Sequence, residues 1–285
     1  MTAGGEEHLV RAGRLGAAAL AAATAVGVWA GGTAAAAPTD TSCADFHWIG
    51  AAGSGQREGA KLGMYGGMGD VVYQTYQQVR AQVLASGRTI TAEPVHYPAT
   101  AVPLEGGIGG WLDFLGSVSD GVDATEEQFE AYTQRCPASK VVLAGYSQGA
   151  MVIHRNLYDL ADHPQVAAAL LIADGDRLPA DTTLKLGTTA LAPGVGKGVA
   201  QEHSLLSSAN TSPLPPVIGA RTISVCDVGD PVCDYAPDVD AVSPSAVAIH
   251  TAYSPQASGS HAWTAPLLGL LARAESTSAV GAQTF

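Results

Sequence analysis

Residues Lys140 to Ala161 read KVVLAGYSQGAMVIHRNLYDLA, and this stretch decides the fold. Val141, Val142, Leu143 and Ala144 form a short apolar run of the kind found in a strand buried on both faces. Gly145-Tyr146-Ser147-Gln148-Gly149 is a sharp turn. Met151, Val152, Leu157 and Leu160 then recur at helical spacing. Strand, tight turn and helix are the context in which G-x-S-x-G lifts a serine hydroxyl above a sheet. Gly145 and Gly149 lack Cβ atoms, so strand and helix can approach closely around the turn. The helix that begins behind Ser147 presents unpaired N–H groups and the positive end of its dipole, both suited to a developing oxyanion.

Outward from this unit the chain alternates strands and helices. Phe46 to Gly50 reads as a strand and runs into the small-residue loop Ala51 to Gln56. Gly69 to Ser86 carries Val72, Tyr76, Val79 and Val83 at helical spacing, and Thr89 to Tyr97 is a strand stopped by Pro98. Glu105 to Gly110 is glycine-rich and is followed by Trp111 and Phe114, which fit either a cleft wall or the core. Asp123 to Arg135 reads as a helix capped by Asp123 or Thr125. Val166 to Ala173 is a buried strand ending in Asp174-Gly175-Asp176. Arg221 to Cys226 is a further strand, and Ala262 to Arg273 is the last helix, with Trp263, Leu267, Leu268 and Leu271 inward. Leu184 to Pro216, rich in Gly, Ala, Thr, Ser and Pro, is long for a connection and reads as a functional loop or cover. The pattern predicts an α/β fold, a three-layer α/β/α sandwich around a central, mostly parallel sheet of about five strands.

The ends and the bulk numbers bound the class. Arg11 and Arg14 precede an uncharged Ala/Gly-rich run that ends in Ala34-Ala35-Ala36-Ala37-Pro38. A basic start, an apolar middle and a small-residue end predict a signal peptide over residues 1–37, in preference to a membrane anchor. The remainder, 38–285, is about 248 residues, one large α/β domain, exported and without an integral membrane segment. The net charge of −12 argues against nucleic acid and against anionic lipid as partners. Four cysteines, Cys43, Cys136, Cys226 and Cys233, predict two disulfides, with three possible connectivities and Cys226 and Cys233 close enough for a local clip. No C-x-x-C spacing and no histidine cluster points to a metal, and the chemistry asks for no cofactor.

A serine hydroxyl needs a histidine to take its proton and an acid to hold that histidine's tautomer. His154, His163, His203, His250 and His261 follow Ser147, and His250 and His261 lie after the last strand, where the base is expected. His154, on the helix leaving the turn, reads as a surface or packing residue. Asp230 has the best setting for the acid, inside the short cysteine interval after a strand. Asp227, Asp234, Asp174 and Asp176 are its rivals.

Three blocks resemble the cutinase family of secreted serine esterases, which are α/β-hydrolases. They are Gly145-Tyr146-Ser147-Gln148-Gly149-Ala150, preceded by Cys136; Cys226-Asp227-Val228-Gly229-Asp230-Pro231-Val232-Cys233; and His250-Thr251-Ala252-Tyr253. Gly53-Ser54 resembles that family's Gly-Ser after the first strand. The resemblance implies Ser147 as nucleophile, His250 as base, Asp230 as acid, and an oxyanion hole from Ser54 and the Gln148 N–H. It also implies disulfides Cys43–Cys136 and Cys226–Cys233, an ester as substrate (cutin-like polyester or short to medium acyl ester), and a secreted enzyme without metal; a monomer is the default expectation. A lipase or phospholipase acting on longer chains, and a non-catalytic binder with the same fold, are the competing readings. One departure is Ala52, where the family often has Arg. The other is the length of 184–216, against the open site of compact members.

Overall fold

A computed structural model describes residues 43–103, 107–192, 194–202, 206, 212–236, 243–256 and 262–282. The segment read as a signal peptide, His203 and His261 lie outside the described residues. Six parallel strands form one sheet: β1 Phe46–Ala51, β2 Ile90–Pro94, β3 Lys140–Tyr146, β4 Val166–Ile172, β5 Leu184–Leu186 and β6 Thr222–Val225, in the order β2-β1-β3-β4-β6-β5. Five match the expected strands. The sixth, β5, is a three-residue edge strand inside the segment read only as a long loop, too short to show a periodicity.

Helices cover both faces, because the central strands are apolar on both. On one face α2 Gly107–Arg135 and α3 Gln148–Asp159 pack over Ile49, Ala51, Val141, Leu143, Ala169 and Leu171. On the other, α1 Asp70–Ala85 and α6 Thr264–Ala282 pack over Trp48, Val142, Ala144, Leu170, Ile172, Ile223 and Val225. Side chains alternate between the two cores as the pleat requires, except at Ala167 and Ala168 of β4, which both face the second core where the register with β3 shifts. Val72, Tyr76, Val79 and Val83 are buried in the second, together with Trp263, Leu267 and Leu271; Leu268 is only partly buried there.

One helix differs from expectation. The chain does not start a helix at Asp123 or Thr125; it is already helical from Gly107, and Thr125 uses its hydroxyl mid-helix on the Gly121 carbonyl (2.7 Å). Glycines at 109, 110, 116 and 121 argue against a helix on propensity, but packing overrides it. A Cβ on Gly121 would lie 2.6 Å from Val152 Cγ2, so the bare backbone there admits α3. Phe114 belongs to the core and Trp111 packs edge-on against it at 5.8 Å, so the core reading of this pair holds. Two short helices, α4 Pro216–Gly219 and α5 Pro244–His250, were not evident in the sequence. Among the described residues no helix is long and apolar enough to cross a membrane.

Disulfides join Cys43 to Cys136 and Cys226 to Cys233. The first ties the chain ahead of β1 to the end of α2; the second closes the loop after β6.

Candidate active site

The chain runs from β1 out to β2 and returns to β3 on the other side of β1, so the strand order reverses between β1 and β3. Crevices form at such a reversal, beyond the carboxyl ends of the strands. Ala51 pairs with Gly145, which brings the loop after β1 beside the turn after β3. The fit is tight. A Cβ on Gly145 would sit 2.2 Å from the Gly149 carbonyl oxygen, and one on Gly149 would sit 2.2 Å from the Ala51 carbonyl oxygen. Both glycines of G-x-S-x-G are therefore required by backbone contact. Ser147 between them holds φ 55°, ψ −120°, a conformation that L-residues with side chains avoid.

Ser147 Oγ lies 3.0 Å from His250 Nε2. His250 Nδ1 lies 3.0 and 3.1 Å from the two carboxylate oxygens of Asp230. With Nδ1–H given to the carboxylate, Nε2 carries the lone pair that faces the serine. Asp230 is fully buried, and its acceptors are occupied: Oδ1 takes the N–H groups of Val232 (2.7 Å) and Cys233 (3.2 Å), and Oδ2 takes the Tyr253 hydroxyl (2.9 Å). Donors on every side keep a buried carboxylate from being an orphaned charge. The Tyr253 hydroxyl in turn accepts the Asp227 N–H at 2.9 Å. Burial, then the charge of Asp230, pushes the Tyr253 phenol up, so it stays a donor.

Tyr146 ties His250 to the serine turn. Its hydroxyl donates to the His250 carbonyl at 2.6 Å, and its ring stacks on the imidazole at 5.2 Å and 25°. Burial, with Asp230 and Asp70 nearby, raises this phenol too and keeps its proton on. His250 is the last residue of α5, whose first turn is capped by Ser243 accepting from the Ala246 N–H.

Of the aspartates, Asp230 makes the contact with His250; its rivals have other partners. Asp227 accepts from Thr188 N–H and hydroxyl, and Asp234 from the N–H groups of Gly196 and Gly229. Asp174 pairs with His154 and Asp176 with Arg155. His154 is thus buried and ion-paired, and His163 packs edge-on against Phe129. The described part of 184–216 is tied to the loop that holds Asp230: Val199 N–H donates to the Val232 carbonyl and Tyr235 N–H to the Lys197 carbonyl; the buried Arg177, just after β4, donates to the Gly196 carbonyl. Ser54 is half-buried in the loop after β1, and Gln148 opens α3 with its side-chain amide 3.3 Å from the Thr100 carbonyl. The contacts of Tyr146 with His250 carried no signal in the sequence, because the two residues come from different elements.

Residues 42–265 match the family model described as Cutinase. The chain belongs to the cutinase family. It is 31% identical over 156 residues to a cutinase of Hypocrea jecorina, covering 53% of this chain and 45% of that protein. It is 28% identical over 171 residues to a probable carboxylesterase, Culp3, of Mycobacterium tuberculosis, covering 60% of this chain and 53% of that one. The chain therefore spans about half the length of these curated relatives. An iodinated complex of acetyl xylan esterase shares the fold, with a TM-score of 0.53 at 22% identity over 81% of this chain and 99% of that one. Six parallel strands with helices on both faces make this cutinase-family domain an α/β-hydrolase fold.

Proposed function

We propose that this chain is a serine esterase that hydrolyses carboxylic esters through an acyl-enzyme on Ser147. The observation that carries the reading is the continuous relay from Ser147 Oγ through His250 to the buried Asp230, each link at hydrogen-bond distance. His250 takes the serine proton as Oγ attacks the ester carbonyl, and Asp230 stabilises the imidazolium that forms. The N–H of Gln148, at the head of α3, and Ser54 serve as oxyanion donors, each worth about 10²–10³ in rate. His250 then returns its proton to the leaving alcohol. Water, deprotonated by His250 in turn, releases the acid and restores the serine.

The substrates are cutin-like polyesters or short to medium acyl esters. Residues 1–37 act as an export signal, and the two disulfides suit an oxidising compartment. The mature protein works as a monomer.

The test is turnover of p-nitrophenyl esters from acetate to palmitate by the parent and by Ser147→Ala. Turnover highest at short chains and lowered at least about 10⁴-fold in the variant is the expected result. A maximum at long chains makes the protein a lipase. Full turnover in Ser147→Ala, or none in the parent at any length, refutes the proposal.

A further inference from the structure

Ala52 has no side-chain donor. The Tyr97 hydroxyl donates to the Ala52 carbonyl from below, and the Gly55 N–H donates to the Ala99 carbonyl at 2.7 Å. The Gly53 N–H, on the other side of Ser54, donates to the side chain of Gln56, reaching Oε1 at 2.8 Å. Gln56 Nε2 donates to Asp70 Oδ1 at 2.7 Å, and the same oxygen accepts the Val71 N–H at 2.8 Å, at the start of α1. The amide is packed into place: a Cβ on Gly69, which holds φ +76°, would fall 2.0 Å from Gln56 Oε1. A Cβ on Gly53 would meet the Tyr146 ring at 2.7 Å.

The chemistry of the bridge is directional. A backbone N–H only donates and a carboxylate only accepts, so the group between them must do both. A neutral amide does this. A carboxylate at the same position satisfies Gly53 but stands against Asp70 as a like charge, and the pair holds together only while it shares a proton. An apolar side chain satisfies neither.

We propose that Gln56 is the positioning residue of the oxyanion loop: its amide links the Gly53 N–H to the Asp70 carboxylate and so sets the direction in which Ser54 faces the oxyanion. The inference rests on the esterase reading above and deepens it. Donors aimed at a developing oxyanion act in the transition state, so a misaimed loop lowers kcat and leaves KM nearly unchanged.

The other charges around the bridge are Arg57, donating to the Gly67 carbonyl, Lys61, donating to the Gly55 carbonyl, and Glu58, accepting the Ala101 N–H. The Tyr146 hydroxyl stays protonated. These groups and His250 are common to parent and variants, so ratios to the parent isolate the bridge.

The experiment measures kcat and KM on p-nitrophenyl butyrate from about pH 5 to pH 9, with thermal melts at each pH. The proteins are the parent, Gln56→Glu, Gln56→Met and the double variant Gln56→Glu/Asp70→Asn. Gln56→Glu is expected to run close to the parent at about pH 5 and to fall at least about 10-fold below it in kcat by about pH 8, a fraction of the loss for a missing donor. The double variant takes the like charge away from position 70; an amide nitrogen in place of Asp70 Oδ1 gives up the Val71 N–H contact, but with no charge pair to titrate the variant is expected to return a pH profile parallel to that of the parent. Gln56→Met is expected to lose about 10-fold in kcat at every pH. A Gln56→Glu profile parallel to the parent, or a double variant no better than Gln56→Glu, overturns the proposal. Should Gln56→Glu fail to fold, an unchanged kcat in Gln56→Met overturns it equally. A parent without turnover overturns the esterase reading first, and this inference with it.

Discussion

Breaking the buried pair His154–Asp174 has an effect on stability that can be worked from the structure. His154 lies on α3, seven residues after the serine, and is fully buried with Nδ1 2.5 Å from Asp174 Oδ2. Burial works against a charged ring. The Asp174 carboxylate outweighs it by charge and hydrogen bond, with Asp181 and Asp176 adding to the field, and pushes the imidazole up to about 9 from 6.5. The sign follows. A group whose folded value lies above its unfolded one favours the fold fully below about pH 6.5 and loses that favour as pH rises through about 9. The gap corresponds to about 3 kcal/mol, a sizeable share of a domain's typical total of about 5–15 kcal/mol. Asp174→Asn removes the charge that holds the proton. The assay is urea unfolding followed by tryptophan fluorescence, since Trp48 and Trp263 are both buried. Between about pH 6 and pH 10 the parent should lose about 3 kcal/mol more than Asp174→Asn. Lys140 and Lys185, held below the ordinary lysine value by burial, titrate in both proteins and cancel in the difference. Parallel stability curves for the two proteins would refute the reasoning.

Two further outcomes concern the acid. Tyr253→Phe removes a donor from the buried Asp230 carboxylate, a bond of the charged class worth about 1.5–3 kcal/mol, so kcat should fall about 10-fold or more; an unchanged kcat dismisses the role. The two disulfides should separate stability from activity. Opening Cys43–Cys136 by serine substitution, 93 residues apart, should cost about 4–5 kcal/mol in unfolding free energy and leave kcat nearly intact at low temperature. Opening Cys226–Cys233, seven residues apart, should cost only about 2 kcal/mol but lower kcat, because Asp230 lies inside the loop it closes. Equal effects of the two openings on kcat would show that the short disulfide does not hold the acid.

What the sequence determined by itself was whatever local chemistry decides. The apolar run of β3, the glycines at 145 and 149 and the helical spacing after Ser147 name a strand, a strained turn and a helix without reference to the rest of the chain. The cysteine interval marked Asp230 as the best-set aspartate, while His250 and His261 stayed level on position alone and only the resemblance of His250-Thr251-Ala252-Tyr253 to the cutinase family pointed to His250. Left to the tertiary structure was everything set by partners distant in the chain. Asp230 is distinguished from Asp227 and Asp234 by which of three nearby carboxylates the loop turns inward, toward an imidazole on α5. α2 runs unbroken through its glycines because α3 packs against Gly121, an effect no propensity contains. His154 became an ion-paired core residue because β4 ends beside it and delivers Asp174. Gln56 acquired its role because Gly53, Gly69 and Asp70 converge on one amide. A buried polar group must find its complement wherever the fold brings one, and the parallel register that sets Ala51 beside Gly145 is the contact from which this site is assembled.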